Sequence, residues 1–182
     1  MIIFFGPAGS GKSSQGQLLS AATGWRWLSA GQLLRETGDP ELLKEMEAGE
    51  LVSHESVTRV MGEAIAKSAD STHLILDGFP REIEQAKWLI ESQPTHGRSV
   101  SLVIVLDVPR EKVLERLSGR GRVDDTPEAI DERLAIYAEE VSPILDYFGA
   151  QGVAVAHVDG NGSIEQVQSR ILDALKAHGV TQ

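Results

Sequence analysis

Residues 6–14, GPAGSGKSS, set three glycines ahead of a lysine and two serines. The spacing is G-x-x-x-x-G-K-[ST]. It follows the apolar run MIIFF (1–5) and opens a segment with helical spacing, the context this motif needs. Gly6, Gly9 and Gly11 let the backbone turn tightly enough for its N–H groups to converge on phosphate oxygens, helped by the N-terminus of the next helix. In such a loop Gly9, Ser10 and Gly11 cradle phosphates and Lys12 reaches the β- and γ-phosphates. Ser13 or Ser14 supplies a hydroxyl near Mg²⁺. The residues predict binding of a nucleoside triphosphate without naming a reaction. A second stretch, LERLSGRGRVDD (114–125), crowds Arg116, Arg120 and Arg122 into seven positions of a chain whose formal net charge is -10. Like charges held that close repel, so an anion should offset the cost. A third, LILDGFPRE (74–82), ends an apolar run on Asp77, placed to hold the Mg²⁺ water shell beside a phosphate loop. Arg81 follows on the phosphate side of the sheet.

The elements that must position these groups are legible as patterns. Five short apolar runs occur at 1–5, 25–29, 73–77, 102–108 and 153–159. The first, third and fourth are continuous rather than alternating, as in parallel strands covered on both faces. Between the runs, 11–23, 54–68, 82–92, 110–118, 127–147 and 163–177 have helical spacing. Thr126-Pro127-Glu128 is a helix start, with a cap, a proline at the first helical position and an acid in the first turn. Asp39-Pro40-Glu41 repeats it. Pro143 should bend the helix that contains it. QPTHGRS (93–99) reads as a surface loop. Strands alternating with helices predict an α/β doubly wound fold.

A chain of 182 residues suits one domain. Its acidic balance argues against a general nucleic-acid binder. It contains no cysteine, hence neither a disulfide framework nor a thiolate metal site. The five histidines show no ligand spacing. No stretch approaches the ~20 apolar residues of a membrane helix, and MIIFF is too short for a signal peptide core. A soluble cytoplasmic protein is expected. Trp25 and Trp27 flank Arg26 and read as strand packing rather than a stacking platform.

In order along the chain, GPAGSGKSSQ (6–15), LSAGQLLR (28–35), GELV (49–52), LDGFPREIEQ (76–85), ERLSGR (115–120), GRVDD (121–125) and ERLAIY (132–137) resemble the adenylate kinase family of nucleoside monophosphate kinases. The resemblance covers most of the length, and DGFPR and GRVDD at these spacings are far more specific than the phosphate loop alone. It implies a three-layer α/β P-loop NTPase-type fold with a five-stranded parallel sheet. One domain would span 1–182, with an acceptor-binding insertion at about 30–60 and a very short lid at about 117–132. The implied reaction moves the γ-phosphoryl of ATP to a nucleoside monophosphate, AMP in the main reading, with Mg²⁺ as cofactor. Such a transfer gathers about six negative charges, and catalysis is mostly positioning and charge stabilisation. Arginine suits it because its planar fork pairs phosphate oxygens bidentately and stays charged. The resemblance places Lys12, Arg120, Arg122 and Arg133 around the transferring phosphoryl, with Arg35 and Arg81 on the acceptor α-phosphate. It puts Arg116 and Arg120 at ATP, with Arg116 or, in so short a loop, Arg120 stacked on the donor base, and lets Gln85 read the acceptor base. Ala30, Val52 and Gly78 complete the acceptor pocket, and Ser13 and Asp77 serve Mg²⁺. Arg133 has no acidic neighbour three or four positions away, those positions being Ala129, Ile130, Ile136 and Tyr137, so a local helical ion pair does not explain it. The partners expected are small nucleotides, with no nucleic acid and no membrane, and the enzyme is expected to be a monomer.

Three departures from the family pattern matter. Only Gly121 separates Arg120 from Arg122, so water exclusion would depend on a very small flap without room for a zinc-binding lid. Ala30 replaces the threonine usual in adenylate-specific members and looks like the uridylate and cytidylate kinases, whereas Gln85 fits the adenylate pattern. Gln32 replaces an acid and Ser13 a glycine near the metal, and Ser13 is expected to compensate by touching Mg²⁺. Two other readings stay open beside the main one: a UMP/CMP kinase, and a nucleotide-binding regulatory protein with little turnover. A P-loop kinase of another small molecule is disfavoured by DGFPREIEQ.

Overall fold

A computed structural model describes residues 1–48, 52–120 and 126–180. The strands are β1 (Ile2–Phe5), β2 (Arg26–Ser29), β3 (Leu74–Asp77), β4 (Leu102–Asp107) and β5 (Ala154–Asp159). All pair in parallel, in the order β2-β3-β1-β4-β5. The helices are α1 (Lys12–Thr23), α2 (Ala30–Glu36), α3 (Pro40–Ala48), α4 (His54–Ala66), α5 (Ile83–Ser92), α6 (Arg110–Arg120), α7 (Pro127–Ala150) and α8 (Ile164–Ala177). This is the five-stranded three-layer α/β fold expected from the sequence.

The unbroken apolar strands follow from burial on both faces. Ile3, Phe5, Leu74, Leu76, Val103 and Val105 point to one face and pack with α2, α4, α5 and α7, including Leu34, Met61, Leu89 and Phe148. Ile2, Phe4, Ile75, Leu102, Ile104 and Leu106 point to the other and meet Leu19 of α1 and Val167, Ile171 and Leu175 of α8. Alternation exists along each strand, but both halves of it are apolar. Trp25 is buried and stacks on His73 with ring centroids 4.5 Å apart. Trp27 is partly buried and packs on the α1/α8 side, so both tryptophans pack rather than forming a platform.

The insertion expected at 30–60 holds α2, α3 and the start of α4. The Asp39 side chain accepts from the backbone N–H of Glu41 at 3.0 Å, as the Asp-Pro-Glu start signal implies. α6 runs two residues beyond its expected end and α7 continues to Ala150, unbroken through Pro143. Much of the 117–132 region is therefore helix, while 121–125 lies outside the described residues. Residues 93–96 form a 3₁₀ turn instead of a plain loop. It is anchored inward by Gln93, which is buried.

Register does the positioning. Phe4 of β1 and Ser29 of β2 each pair with Asp77 of β3. The segments leaving these strands, Gly6 onward, Ala30 onward and Gly78 onward, therefore start level with one another. β1 lies between β3 and β4, where the chain, having left β1 towards β2, crosses to the other side. Ligands of open α/β sheets bind at that crevice, at the carboxyl ends of the strands.

Candidate active site

The loop after β1 has the conformation its glycines allow. Gly6 has φ +151°, and a Cβ there would lie 2.5 Å from Ser10 Oγ. Gly11 caps α1 at φ +98°, a region that favours glycine. The Ser10 N–H donates to Pro7 O at 3.1 Å and closes the turn. Lys12 leaves the first turn of α1 and folds back over the loop, donating to Gly6 O and, at 2.9 Å, to Pro7 O. Burial lowers its pKa to about 8; Asp77 opposes the shift and Arg81 adds to it. Beside it, Ser13 Oγ donates to Asp77 Oδ2 at 2.6 Å. Asp77 is buried at the end of β3. A carboxyl group and a hydroxyl in contact beside a phosphate loop suit Mg²⁺, a hard cation that keeps several waters and completes its shell from substrate phosphates. No group of three or more histidine or acidic side chains that could hold a metal occurs among the described residues.

Lys12, Arg35, Arg81 and Arg116 line one cleft over this loop, against a single acid, Asp77, among its described lining residues. In a chain of net charge -10, that is a concentrated positive field where an anion would sit. Arg35 lies in the last turn of α2 and makes no ion pair among the described residues. Arg81 Nε donates to Gly78 O at 3.2 Å. Arg116, from α6, donates to Gly9 O at 3.3 Å, Ser10 O at 3.2 Å and Gly160 O at 2.9 Å. Those bonds lie in the guanidinium plane and leave its faces for stacking. Arg122 lies outside the described residues, as do the side chains of Arg120 and Arg133. Gln32 is exposed, pairs with Glu36 at 2.6 Å and does not line the cleft.

Sequence reasoning missed one wall. Gly160, Gly162, Ser163 and Ile164, between β5 and α8, close the end of the cleft with Val167. Gln15 Nε2 donates to Ile164 O at 3.0 Å and ties that wall to α1. The available signal was VDGNGS (158–163), a glycine turn running into a capping box between Ser163 and Gln166. A second missed contribution is α7, whose Ile136, Tyr137, Glu140 and Val141 face Lys12, Gly78 and Arg81 across an adjoining cleft. Burial raises the pKa of the Tyr137 hydroxyl.

A further cleft opens between α2, α4 and the start of α5. It brings together Ala30, Val52, Gly78, Arg81 and Gln85, five residues assigned to acceptor binding from the sequence. Gln85 is buried, and its Oε1 accepts from the backbone N–H of Arg81 at 2.8 Å. Gly31, Gly78 and Arg81 line both this cleft and the cationic one, so the two adjoin.

The sequence model of the adenylate kinase family matches residues 4–153. An adenylate kinase from Prochlorococcus marinus is 37% identical over 180 residues, covering 96% of this chain and 97% of the relative. One from Mycolicibacterium paratuberculosis is 36% identical over 180 residues, with 96% and 98% covered. One from Stenotrophomonas maltophilia is 34% identical over 185 residues, again with 96% and 98% covered. No described helix is long and apolar enough to cross a membrane. With both clefts, the phosphate loop and the Ser13–Asp77 pair in place, the chain belongs to the adenylate kinase family and is a nucleoside monophosphate kinase.

Proposed function

We propose that the enzyme transfers the γ-phosphoryl of ATP to AMP, giving two ADP, in a Mg²⁺-dependent reaction. The observation that carries this reading is that two adjoining clefts share Arg81 and Gly78. One cleft is cationic and built on a phosphate loop; the other ends in a buried amide.

ATP lies along the loop, its phosphates on the N–H groups of residues 9–14 and on Lys12. Its base lies toward Arg116 and the Gly160–Ile164 wall. The acceptor base enters the second cleft near Gln85, and its α-phosphate meets Arg35 and Arg81. A phosphate oxygen of AMP then bonds to the γ-phosphorus as the bond to the β–γ bridging oxygen breaks, and the charge left on ADP is met by Lys12 and the loop. Arg120, Arg122 and Arg133 would close around the transferring group, as the family resemblance implies. Such chemistry gains mainly from fixed positive charge and exclusion of water. Asp77 and Ser13 would hold Mg²⁺, which neutralises charge on the β- and γ-phosphates when bound. The working form is read as a cytoplasmic monomer acting on small nucleotides.

Ala30 is buried in the acceptor cleft and offers no hydroxyl there, the one feature that favours UMP or CMP. The test supplies purified protein with ATP, Mg²⁺ and, separately, AMP, CMP, UMP and GMP, and follows ADP. Turnover with AMP far above the others is expected. Preference for a pyrimidine nucleotide would move the enzyme to the UMP/CMP class. Tight ATP binding with no turnover on any acceptor would mark a nucleotide-binding regulatory protein.

A further inference from the structure

Three polar side chains line the acceptor cleft among the described residues: Arg81, Glu82 and Gln85. The others are apolar or glycine. Arg81 also lines the cationic cleft, which assigns it to the phosphate end. Glu82 and Gln85 remain as groups that could tell one base from another.

Their hydrogen-bonding capacities are fixed by their surroundings. Gln85 Oε1 already takes the Arg81 N–H at 2.8 Å. Only the oxygen can accept, so this contact sets the amide orientation and leaves the NH₂ as the group to offer. Glu82 offers carboxylate oxygens, which are acceptors. Its Oε2 lies 3.3 Å from His54 Nδ1 at the start of α4, close enough for a charge contact though not aligned as a hydrogen bond. Oε1 has no hydrogen-bond partner among the described residues. The cleft thus pairs one free carboxylate acceptor with one free amide donor, three residues apart at the start of α5.

We infer that Glu82 reads the exocyclic amino group of the acceptor base, beside Gln85, which the family resemblance already assigns to that base. This rests on the reading of the cleft as the acceptor site. The complementary base edge has an amino group beside an unprotonated ring nitrogen, as in N6 and N1 of adenine. Uracil has a carbonyl oxygen at the matching position, and an oxygen facing a carboxylate leaves both without a donor. Cytosine carries the same edge in N4 and N3, so Glu82 opposes the cue from Ala30 for UMP and not for CMP; against uracil the carboxylate works by rejection as much as by attraction. A site built to bond a polar group discriminates against an analogue that lacks it; the Glu82 side chain is 40% exposed, so the effect is smaller than for a fully buried carboxylate.

The test compares AMP with purine riboside 5′-monophosphate, the same nucleotide without the amino group. kcat/KM for both is measured in the wild type and in Glu82→Leu, Glu82→Gln and Gln85→Leu. The wild type should prefer AMP by about 10- to 100-fold, as for a hydrogen bond to a charged group. Glu82→Leu should cut that preference to within about threefold, mostly through KM for AMP, because no acceptor remains. Glu82→Gln keeps one acceptor oxygen and should fall between. A wild type indifferent to the amino group overturns the inference. So does an unchanged preference in both Glu82 variants while Gln85→Leu still raises KM for AMP, a result that leaves the acceptor-cleft reading standing. If KM for both acceptors is unchanged in every variant, the cleft reading fails and this inference fails with it.

Discussion

Removing the charge of Lys12 should make the unliganded protein more stable while it destroys turnover. Lys12 is held between the Gly6 and Pro7 carbonyls, and its pKa falls from 10.5 to about 8, first through burial. That lowering corresponds to about 3 kcal/mol disfavouring the charged form in the folded state at neutral pH. Lys12→Met keeps a stem of similar shape and removes the ammonium. It also loses two hydrogen bonds to carbonyls that stay open to the cleft, at roughly 1 kcal/mol each. The balance is a gain of about 1 kcal/mol, or a rise in Tm of about 2–4 °C for a chain of this size. The pH dependence fixes the sign. Below pH 8 both folded and unfolded chains hold this proton, and the cost is fully present. Between 8 and 10.5 the unfolded chain binds more protons than the folded one, so the wild type gains stability as pH rises. The advantage of Lys12→Met should therefore shrink across that window. Differential scanning calorimetry of both proteins without nucleotide, at pH 7 and pH 9.5, measures it. Turnover should fall by at least about 10²-fold, as when a donor to developing negative charge is removed. A lower melting temperature for Lys12→Met at pH 7, or a gap that does not change with pH, would refute the reasoning.

Three other outcomes follow from the same geometry. Ser13→Ala removes the 2.6 Å bond to Asp77 and should raise the Mg²⁺ concentration for half-maximal turnover by about 10-fold; an unchanged titration would take Ser13 out of the metal's surroundings. Arg116→Ala should raise KM for ATP by about 10-fold and leave KM for AMP near its original value, with no rescue by lysine, which lacks the planar fork that spans three carbonyls. Gly16→Ala places a Cβ 2.8 Å from Trp27 Cδ1 and Nε1 and should cost about 1–3 kcal/mol through overpacking, read from urea unfolding.

The parts legible in the sequence are those whose cause is local or strongly periodic. The loop at 6–14 announces itself because tight turns and phosphate contact need glycines at fixed offsets. β1, β3 and β4 show as unbroken apolar runs because both of their faces are covered. α2 and α3 were harder to see. They have only 7 and 9 residues, too few turns for a helical period to separate from a loop. The Ser13–Asp77 contact spans 64 positions and depends on the β1–β3 register, which no local pattern encodes. The Gly160–Ile164 wall was the least visible. Gly160 acts through a backbone carbonyl, and backbone groups are common to every residue. Glu82 is hard to single out for another reason: beside Pro80 and Arg81 it reads as part of a turn, and only the fold shows that it lines the acceptor cleft.

Arg116 joins positions far apart in the sequence. Its guanidinium links Gly9 and Ser10 to Gly160, and Gln15 is tied to Ile164. The far wall of the cleft is therefore held to the phosphate loop by long-range contacts alone. A chain cut before β5 would carry the loop and Asp77 without the carbonyls that fix Arg116 and Gln15 on that side. Closing the nucleotide cleft is thereby tied to the pairing of β5 with β4 at the edge of the sheet.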